Sequence, residues 1–131
     1  MKNILILLVS ISSFYACSQT ANTKVFTNLS SEEFQKQAKS DPNNVIIDLR
    51  TTEEINKGYI KGAIQIDFLA KDAEAQIDKL DKNKTYYVYC QSGGRSGDAA
   101  EYMEKHGFKK VFNLEKGFTN WKSKGLPVEK K

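Results

Sequence analysis

The sequence predicts an α/β fold in which five parallel strands form a central sheet with helices on both of its faces. Segments of strand length alternate with amphipathic helical segments along the chain, the pattern that builds parallel sheets. The segment 45–49 is an almost continuous apolar run, which is typical of a strand buried on both faces. The length of 131 residues suits one domain and not two.

Residues 1–16 are predicted to be a secretory signal peptide and to lie outside the folded domain. Lys2 supplies a positive start, and 4–11 form an apolar core too short to span a membrane comfortably. A small residue before Cys17 resembles a bacterial lipoprotein cleavage site, although the two aromatic residues just upstream depart from that pattern. We expect lipidation of Cys17, with cleavage without lipid, or retention as an anchor, as the alternatives. Residues 17–24 are polar and predict a tether.

The first half of the folded region carries two helix-start signals, each after a β-like segment. Both are capping boxes, in which a Ser or Thr and a Glu three residues later satisfy each other's backbone N–H groups. The pairs are Ser30 with Glu33, and Thr51 with Glu54. Turn residues then end each helix. In order, we predict a strand at 25–27, a helix at 30–39, a strand at 45–49 and a helix at 51–58.

The second half repeats the alternation. Ala70, Ala73, Ile77 and Leu80 share one helical face. Trp121 is predicted to lie in the core, on a short last helix. In order, we predict a strand at 63–66, a helix carrying that apolar face, a strand at 86–89, a helix from about 96 to 107, a strand at 111–113 and a helix at 117–124.

The segment between the fourth strand and the next helix is the strongest functional signal. Cys90 closes the strand, Gly93 and Gly94 allow a sharp turn, and Arg95 follows just before a helix predicted to begin near Ser96. Such a turn aims backbone N–H groups inward, and the helix N-terminus adds positive potential. Both effects, together with a neighbouring Arg, lower the pKa of a cysteine. The loop therefore predicts a site that stabilises one anionic sulfur and the group bonded to it.

Composition argues against nucleic-acid binding and against a metal site. The net charge is +4, but the lysines are scattered, so nucleic acid is not an expected partner. His106 is the only histidine, and the two cysteines are not spaced as a metal-binding pair, so we predict no metal site and no cofactor. If Cys17 is acylated, Cys90 is the only thiol of the mature protein, and we expect it to be partly exposed and used. A Cys17–Cys90 disulfide is the alternative.

With these motifs in place, the region from 25 to 128 resembles the single-domain rhodaneses, a family of sulfurtransferases. The loop Cys90–Ser96 matches the family's active loop. Upstream, Asp48-Leu49-Arg50 and the residues as far as Ala63 match a second signature, and 117–128 match a C-terminal one. The departures from the pattern affect packing and pocket shape: Ile55, Tyr59 and Lys61. The resemblance implies one rhodanese-like domain over residues 25–131.

The resemblance also implies a chemistry. Cys90 would attack a sulfane sulfur in thiosulfate, polysulfide or a persulfide, hold it as a Cys90 persulfide, and pass it to cyanide or a thiol. The binding loop would comprise Gln91, Ser92, Gly93, Gly94, Arg95 and Ser96. Asp48 and Arg50 either brace that loop as an ion pair or line the rim of the pocket. We expect small sulfur donors and acceptors, a protein persulfide as a further partner, and a periplasmic or lipid-anchored location in a bacterial envelope.

Two other functions compete with this reading. A persulfide carrier, or a non-catalytic interaction module, would keep the same loop. A phosphatase or arsenate reductase of the Cys-x5-Arg type would need one more residue, because only four separate Cys90 from Arg95.

Overall fold

The computed structural model describes residues 26–131. The predicted signal peptide, the tether and Cys17 lie outside the described residues. Along the described part, five strands alternate with five helices. Their bounds are β1 Phe26–Leu29, α1 Ser31–Ala38, β2 Val45–Asp48, α2 Thr52–Asn56, β3 Ile64–Gln65, α3 Ala73–Asp78, β4 Thr85–Tyr89, α4 Gly94–Lys105, β5 Lys110–Leu114 and α5 Gly117–Ser123.

The five strands form one parallel sheet in the order β1-β5-β4-β2-β3. The predicted fold class is therefore confirmed. Most bounds differ from the prediction by one or two residues. The largest difference is at α3, which begins at Ala73, three residues after the start of the predicted apolar face at Ala70. The strand β3 is only two residues long and pairs only with β2, at the edge of the sheet.

Helices cover both faces of the sheet, and each face has its own buried core. On one face, Ile47 and Val88 of the sheet pack with Ile77 of α3 and Met103 of α4. On the other face, an aromatic cluster joins the sheet to α1 and α5: Phe34, Tyr87, Tyr89, Phe118 and Trp121. Phe34 makes edge-on contacts with three of these rings. These two layers hold the sheet, and with it the loop at the end of β4, in place.

Both capping boxes are confirmed. In α1, the Ser30 hydroxyl accepts from the Glu33 N–H at 3.2 Å, and Glu33 accepts from the Ser30 N–H at 3.0 Å. In α2, the Thr51 hydroxyl accepts from the Glu54 N–H at 3.4 Å, and Glu54 accepts from the Thr51 N–H at 3.0 Å. The box at α2 fixes that helix beside the carboxyl ends of β2 and β4.

Within residues 26–131, no helix is both long and apolar enough to cross a membrane.

Candidate functional site

The site is built where β4, the central strand, ends. Cys90 directly follows β4, and residues 91–93 turn the chain into α4. α4 begins at Gly94, two residues before the position predicted for it. The expectation of a partly exposed thiol is wrong, because Cys90 is 0% exposed. Its side chain is enclosed by the turn and the first residues of α4, so a reacting molecule must pass that loop to reach the sulfur.

Two donors of the loop contact the sulfur of Cys90. The Gly93 N–H lies 3.1 Å from Sγ, and the Ser96 hydroxyl lies 3.4 Å from it. Burial raises the pKa of Cys90 more than any other single effect. The bonds from the Ser96 hydroxyl and from the backbone at Ser96, Ser92 and Gly93 together outweigh burial, so the pKa lies below its ordinary value. The arrangement favours a thiolate that is shielded from water.

The loop that follows Cys90 is held against the segment between β5 and α5. The N–H of Phe118 donates to the Cys90 carbonyl at 2.9 Å, and that of Thr119 donates to the Gln91 carbonyl at 3.0 Å. The Gln91 side chain also donates to the Thr119 hydroxyl at 2.9 Å. The first turn of α5 therefore fixes the backbone on which the sulfur is mounted.

Two glycines permit this close approach. Gly93 has φ +100°, and a Cβ there would lie 1.9 Å from the Glu115 carbonyl oxygen. Gly117 has φ +64°, and a Cβ there would lie 2.5 Å from the Gln91 carbonyl oxygen. Gly94 differs, because a Cβ there meets nothing within 4 Å. Gly93 and Gly117 are therefore required by both backbone conformation and space.

Arg95 is held by an ion pair that the sequence did not reveal. Its Nη1 and Nη2 donate to the two carboxylate oxygens of Glu54 at 2.9 and 2.7 Å. We expected Glu54 only to cap α2, but it caps that helix and also binds Arg95. The hydrogen bond from Arg95 is the main reason why the pKa of Glu54 is lowered to about 2. The pair ties the start of α4 to the start of α2.

Asp48 and Arg50 form a buried ion pair with each other. Both residues are 1% exposed, and Arg50 Nη2 lies 2.7 Å from Asp48 Oδ2. Arg50 also donates to the Gly58 carbonyl at 2.8 Å and to the Gln91 side-chain oxygen at 3.1 Å. A buried ion pair thus reaches from β2 to the first residue after Cys90. It contacts the loop through Gln91 and is closed to solvent.

Tyr89 is a further member of this network that sequence analysis missed. Its hydroxyl donates to Asp48 and accepts from the Ile60 N–H at 3.0 Å. Burial, followed by the charge of Asp48, raises the pKa of Tyr89 far above its ordinary value, so the phenol stays protonated. The Arg50 guanidinium lies 4.1 Å from the centre of the Phe118 ring and 5.4 Å from that of Tyr89. In the sequence, Tyr89 reads only as an apolar strand residue.

His106 lies apart from this site. It is exposed at the end of α4, where its Nδ1 is 2.7 Å from the Tyr102 carbonyl oxygen. Over residues 26–131, no group of three or more His, Cys, Asp or Glu side chains is placed to hold a metal ion.

The described site can therefore do one kind of chemistry well. It presents a single buried sulfur with a lowered pKa, and it surrounds that sulfur with N–H and O–H donors. Such donors also stabilise an added anionic group bonded to the sulfur, as they do in an oxyanion hole.

Comparison with known proteins agrees with the fold. The family model for the rhodanese-like domain matches residues 30–124. A sulfurtransferase of Allochromatium vinosum is 29% identical over 76% of the chain and 92% of its own length. YrkF of Bacillus subtilis, provisionally named a sulfur carrier protein, is 36% identical over 79% of the chain, which spans only 55% of YrkF.

A solved structure gives the same picture. The solution structure of the 30 kDa polysulfide-sulfur transferase homodimer from Wolinella succinogenes superimposes with a TM-score of 0.69 at 26% identity. The match covers 81% of the chain and 80% of the Wolinella chain. The family model covers well over half of the 131 residues. The chain therefore belongs to the rhodanese-like domain family, whose relatives include named sulfurtransferases and sulfur carriers.

Proposed function

We propose that this protein is a sulfurtransferase that carries a sulfane sulfur as a persulfide on Cys90. The observation that supports this most is the pair of donors on the Cys90 sulfur, the Gly93 N–H at 3.1 Å and the Ser96 hydroxyl at 3.4 Å. They lower the pKa of a thiol that burial alone would keep protonated. A nucleophilic sulfur that is ionised and shielded is what a group-transfer step requires.

The transfer takes place in two steps. In the first, the Cys90 thiolate attacks the outer sulfur of a donor; the new bond is Cys90 S–S, and the donor's own bond to that sulfur breaks. Sulfite leaves from thiosulfate, or a thiolate leaves from a persulfide, each with the electron pair of the broken bond. In the second step, cyanide or a thiol attacks the outer sulfur and the Cys90 thiolate departs.

The loop supports both steps electrostatically. The outer sulfur of a persulfide bears the negative charge, so the donors that face Cys90 stabilise the intermediate as well as the resting thiolate. Removing one such donor from an anion site elsewhere costs roughly 3 kcal/mol. Arg95 and Arg50 act on the loop through Glu54 and Gln91, and we assign them positioning roles.

A persulfide carrier that delivers sulfur only to a protein partner is the second candidate. One observation favours it: the relative YrkF is provisionally named a sulfur carrier. The two candidates share the first step and differ in the acceptor.

Mass spectrometry after incubation with sulfur donors tests the proposal. We expect Cys90 to gain one sulfur atom and to lose it again when cyanide or a thiol is added. A Cys90→Ser variant, which keeps the fold, should gain none. Loading without release to any small acceptor would favour the carrier. If Cys90 gains no sulfur from any donor and the protein hydrolyses an aryl phosphate, the phosphatase alternative replaces this proposal.

We also propose that the protein is exported and attached to a membrane of the bacterial envelope through lipid on Cys17. The apolar segment 4–11 followed by Cys17 supports this. Metabolic labelling with a fatty acid should mark the full chain and fail to mark a Cys17→Ser variant. Equal labelling of the two would reject the lipid anchor.

A further inference from the structure

The C-terminal segment, residues 126–129, is bound to two separate elements of the fold. On one side, the indole N–H of Trp121 in α5 donates to the Pro127 carbonyl at 2.9 Å. On the other side, Glu129 forms an antiparallel bridge with Tyr59, in the connection that follows α2. The Tyr59 N–H donates to the Glu129 carbonyl at 2.9 Å, and the Glu129 N–H donates to the Tyr59 carbonyl at 2.8 Å. The segment thus joins α5 to that connection.

The same segment packs directly onto Gly58. A Cβ at Gly58 would lie 2.7 Å from Cγ1 of Val128, so the Val128 side chain occupies the space beside the Gly58 backbone. The bridge follows at the next residue of each partner, between Tyr59 and Glu129. The C-terminal segment therefore restrains two consecutive residues of the connection, one by packing and one by backbone hydrogen bonds.

The connection also carries two groups that bind the buried network beside the Cys90 loop. The Gly58 carbonyl accepts from Arg50 Nη2 at 2.8 Å, and the Ile60 N–H donates to the Tyr89 hydroxyl at 3.0 Å. Tyr89 belongs to β4, whose backbone is fixed by a neighbouring strand on each side. Arg50 follows β2 and has no such support from the sheet. A shift of the connection would therefore be passed on mainly through Arg50.

Arg50 leads directly to the loop. Its Nη1 donates to the side-chain oxygen of Gln91 at 3.1 Å, and Gln91 is the first residue after Cys90. The side-chain nitrogen of Gln91 donates in turn to the Thr119 hydroxyl at 2.9 Å. A continuous set of contacts thus runs from the C-terminal segment through Gly58, Arg50 and Gln91 to the residue beside the sulfur. Such a set is a route for coupling, and a double-mutant cycle measures whether coupling follows it.

We infer that the C-terminal segment positions the loop around Cys90: the bridge between Glu129 and Tyr59 sets the place of Arg50, and Arg50 sets that of Gln91. This inference rests on the proposed sulfur transfer for its functional meaning, while the geometry concerns the thiol itself. The bridge uses only backbone groups, and Glu129 is exposed, so the effect does not depend on the Glu129 side chain. Reaction geometry is sensitive to such restraints, because a misplacement of about 1 Å caused by a remote mutation can slow a reaction about a hundredfold.

Two proline variants and two alanine variants test the inference. Glu129→Pro removes the N–H that donates to the Tyr59 carbonyl. Glu129→Ala is the matched control, because it removes the same side chain and keeps that N–H. Lys130→Pro is a second control, which places a proline one residue beyond the bridge. Gln91→Ala removes the contact between Arg50 and the loop, and it is made alone and together with Glu129→Pro.

Two reactions of Cys90 are followed by peptide mass spectrometry on the full chain, at temperatures where circular dichroism shows each variant to be folded. They are alkylation by iodoacetamide as a function of pH and persulfide formation from thiosulfate or polysulfide. In Glu129→Pro, alkylation below neutral pH should slow roughly threefold, as expected for partial loss of a hydrogen bond to the thiolate, and should reach the wild-type rate at alkaline pH. Persulfide formation should slow roughly tenfold. Both controls should match the wild type.

The double variant shows whether the effect passes through Gln91. In the Gln91→Ala background, Glu129→Pro should slow neither reaction further, because the contact between Arg50 and the loop is already absent. The decrease in Tm caused by Glu129→Pro should be the same in both backgrounds, because the bridge to Tyr59 is lost in each.

Three results would contradict the expectation, each in a different way. If Glu129→Pro lowers the Tm but leaves the pH profile of alkylation unchanged, the segment is only structural and the inference is wrong. If it slows Cys90 equally in both backgrounds, coupling does not follow Arg50 and Gln91, and the inference is again wrong. If the wild type takes sulfur from no donor, the proposed function is overturned, and the alkylation cycle alone then decides whether the segment positions Cys90.

Discussion

Substituting alanine for each of the two adjacent glycines of the loop after Cys90 should have very different effects on stability. Gly93 has φ +100°, and a Cβ there would lie 1.9 Å from the Glu115 carbonyl oxygen and 2.8 Å from its carbon. Because that obstacle is backbone, no side-chain rotation relieves it. Gly94 is the first residue of α4, and a Cβ there meets nothing within 4 Å.

The magnitude of the Gly93→Ala effect follows from two contributions. A left-handed conformation costs a non-glycine residue about 1–2 kcal/mol. Forcing an extra methyl group into packed structure costs about 1–3 kcal/mol. We therefore expect Gly93→Ala to lower the free energy of unfolding by about 2–5 kcal/mol, and the Tm by roughly 10 °C or more. Gly94→Ala should leave stability unchanged or raise it by up to about 1 kcal/mol, since Ala favours the helix.

Thermal and urea unfolding followed by circular dichroism measure both changes. Persulfide formation on Cys90 should fall in Gly93→Ala even at temperatures where the variant is folded, because the Gly93 N–H moves away from the sulfur. Gly94→Ala is the matched control for any effect of an added methyl group in the loop. A Gly93→Ala variant within 1 kcal/mol of the wild type would refute the close approach of the two loops.

Three further outcomes follow from the site. Ser96→Ala removes one hydrogen bond to the Cys90 sulfur, worth about 1 kcal/mol, so alkylation by iodoacetamide below neutral pH should slow roughly fivefold. Glu54 has a pKa lowered from 4.5 to about 2, so its pair with Arg95 stabilises the fold above about pH 4.5, and urea unfolding should show this stability lost as the pH falls toward 2. That contribution is about 1 kcal/mol once solvent screening is included. Arg50→Met strands a buried carboxylate and should lower the free energy of unfolding by about 3–5 kcal/mol.

Each of these has its own check. Ser96→Ala should regain the wild-type alkylation rate at alkaline pH, and equal rates at every pH would show that the hydroxyl does not stabilise the thiolate. Glu54→Gln should reduce the stability lost between about pH 4.5 and pH 2 by about 1 kcal/mol, the contribution assigned to the Glu54 pair. A pH-dependence that is undiminished in this variant would place it on another carboxylate. Arg50→Met combined with Asp48→Asn should be more stable than Arg50→Met alone, and no recovery would argue against a charge left unpaired.

Local signals in the sequence predicted most of the fold. Capping boxes act between residues three apart, so the starts of α1 and α2 could be read from Ser30 with Glu33 and from Thr51 with Glu54. The apolar run at 45–49 is also a local signal, because it is read from consecutive residues, and it identified a strand of the parallel sheet. Where an element depends on distant contacts, the prediction was less exact. α4 begins two residues early, directly after Gly93, which lies against the backbone of Glu115, a residue far away in the sequence.

The same distinction applies to the site. The residues proposed to carry the chemistry, Cys90 and its loop, are contiguous, so the sequence alone was enough to propose them. The residues that hold the loop are not contiguous. Glu54 lies 41 positions from Arg95, and Tyr89 lies 41 positions from Asp48. No sequence pattern predicts either of these two contacts. The full burial of Cys90 was also missed, because enclosure depends on how the loop and α4 pack together.

The position of Cys90 directly after β4 has a mechanical consequence. β4 is bonded to a neighbouring strand on each side, and the carbonyl of Cys90 is itself bound by α5. A sulfur on such a support does not swing between two stations, as one on a flexible arm would. If Cys90 transfers sulfur as proposed, donor and acceptor react in turn at the same fixed sulfur, and steady-state rates should then give parallel double-reciprocal lines.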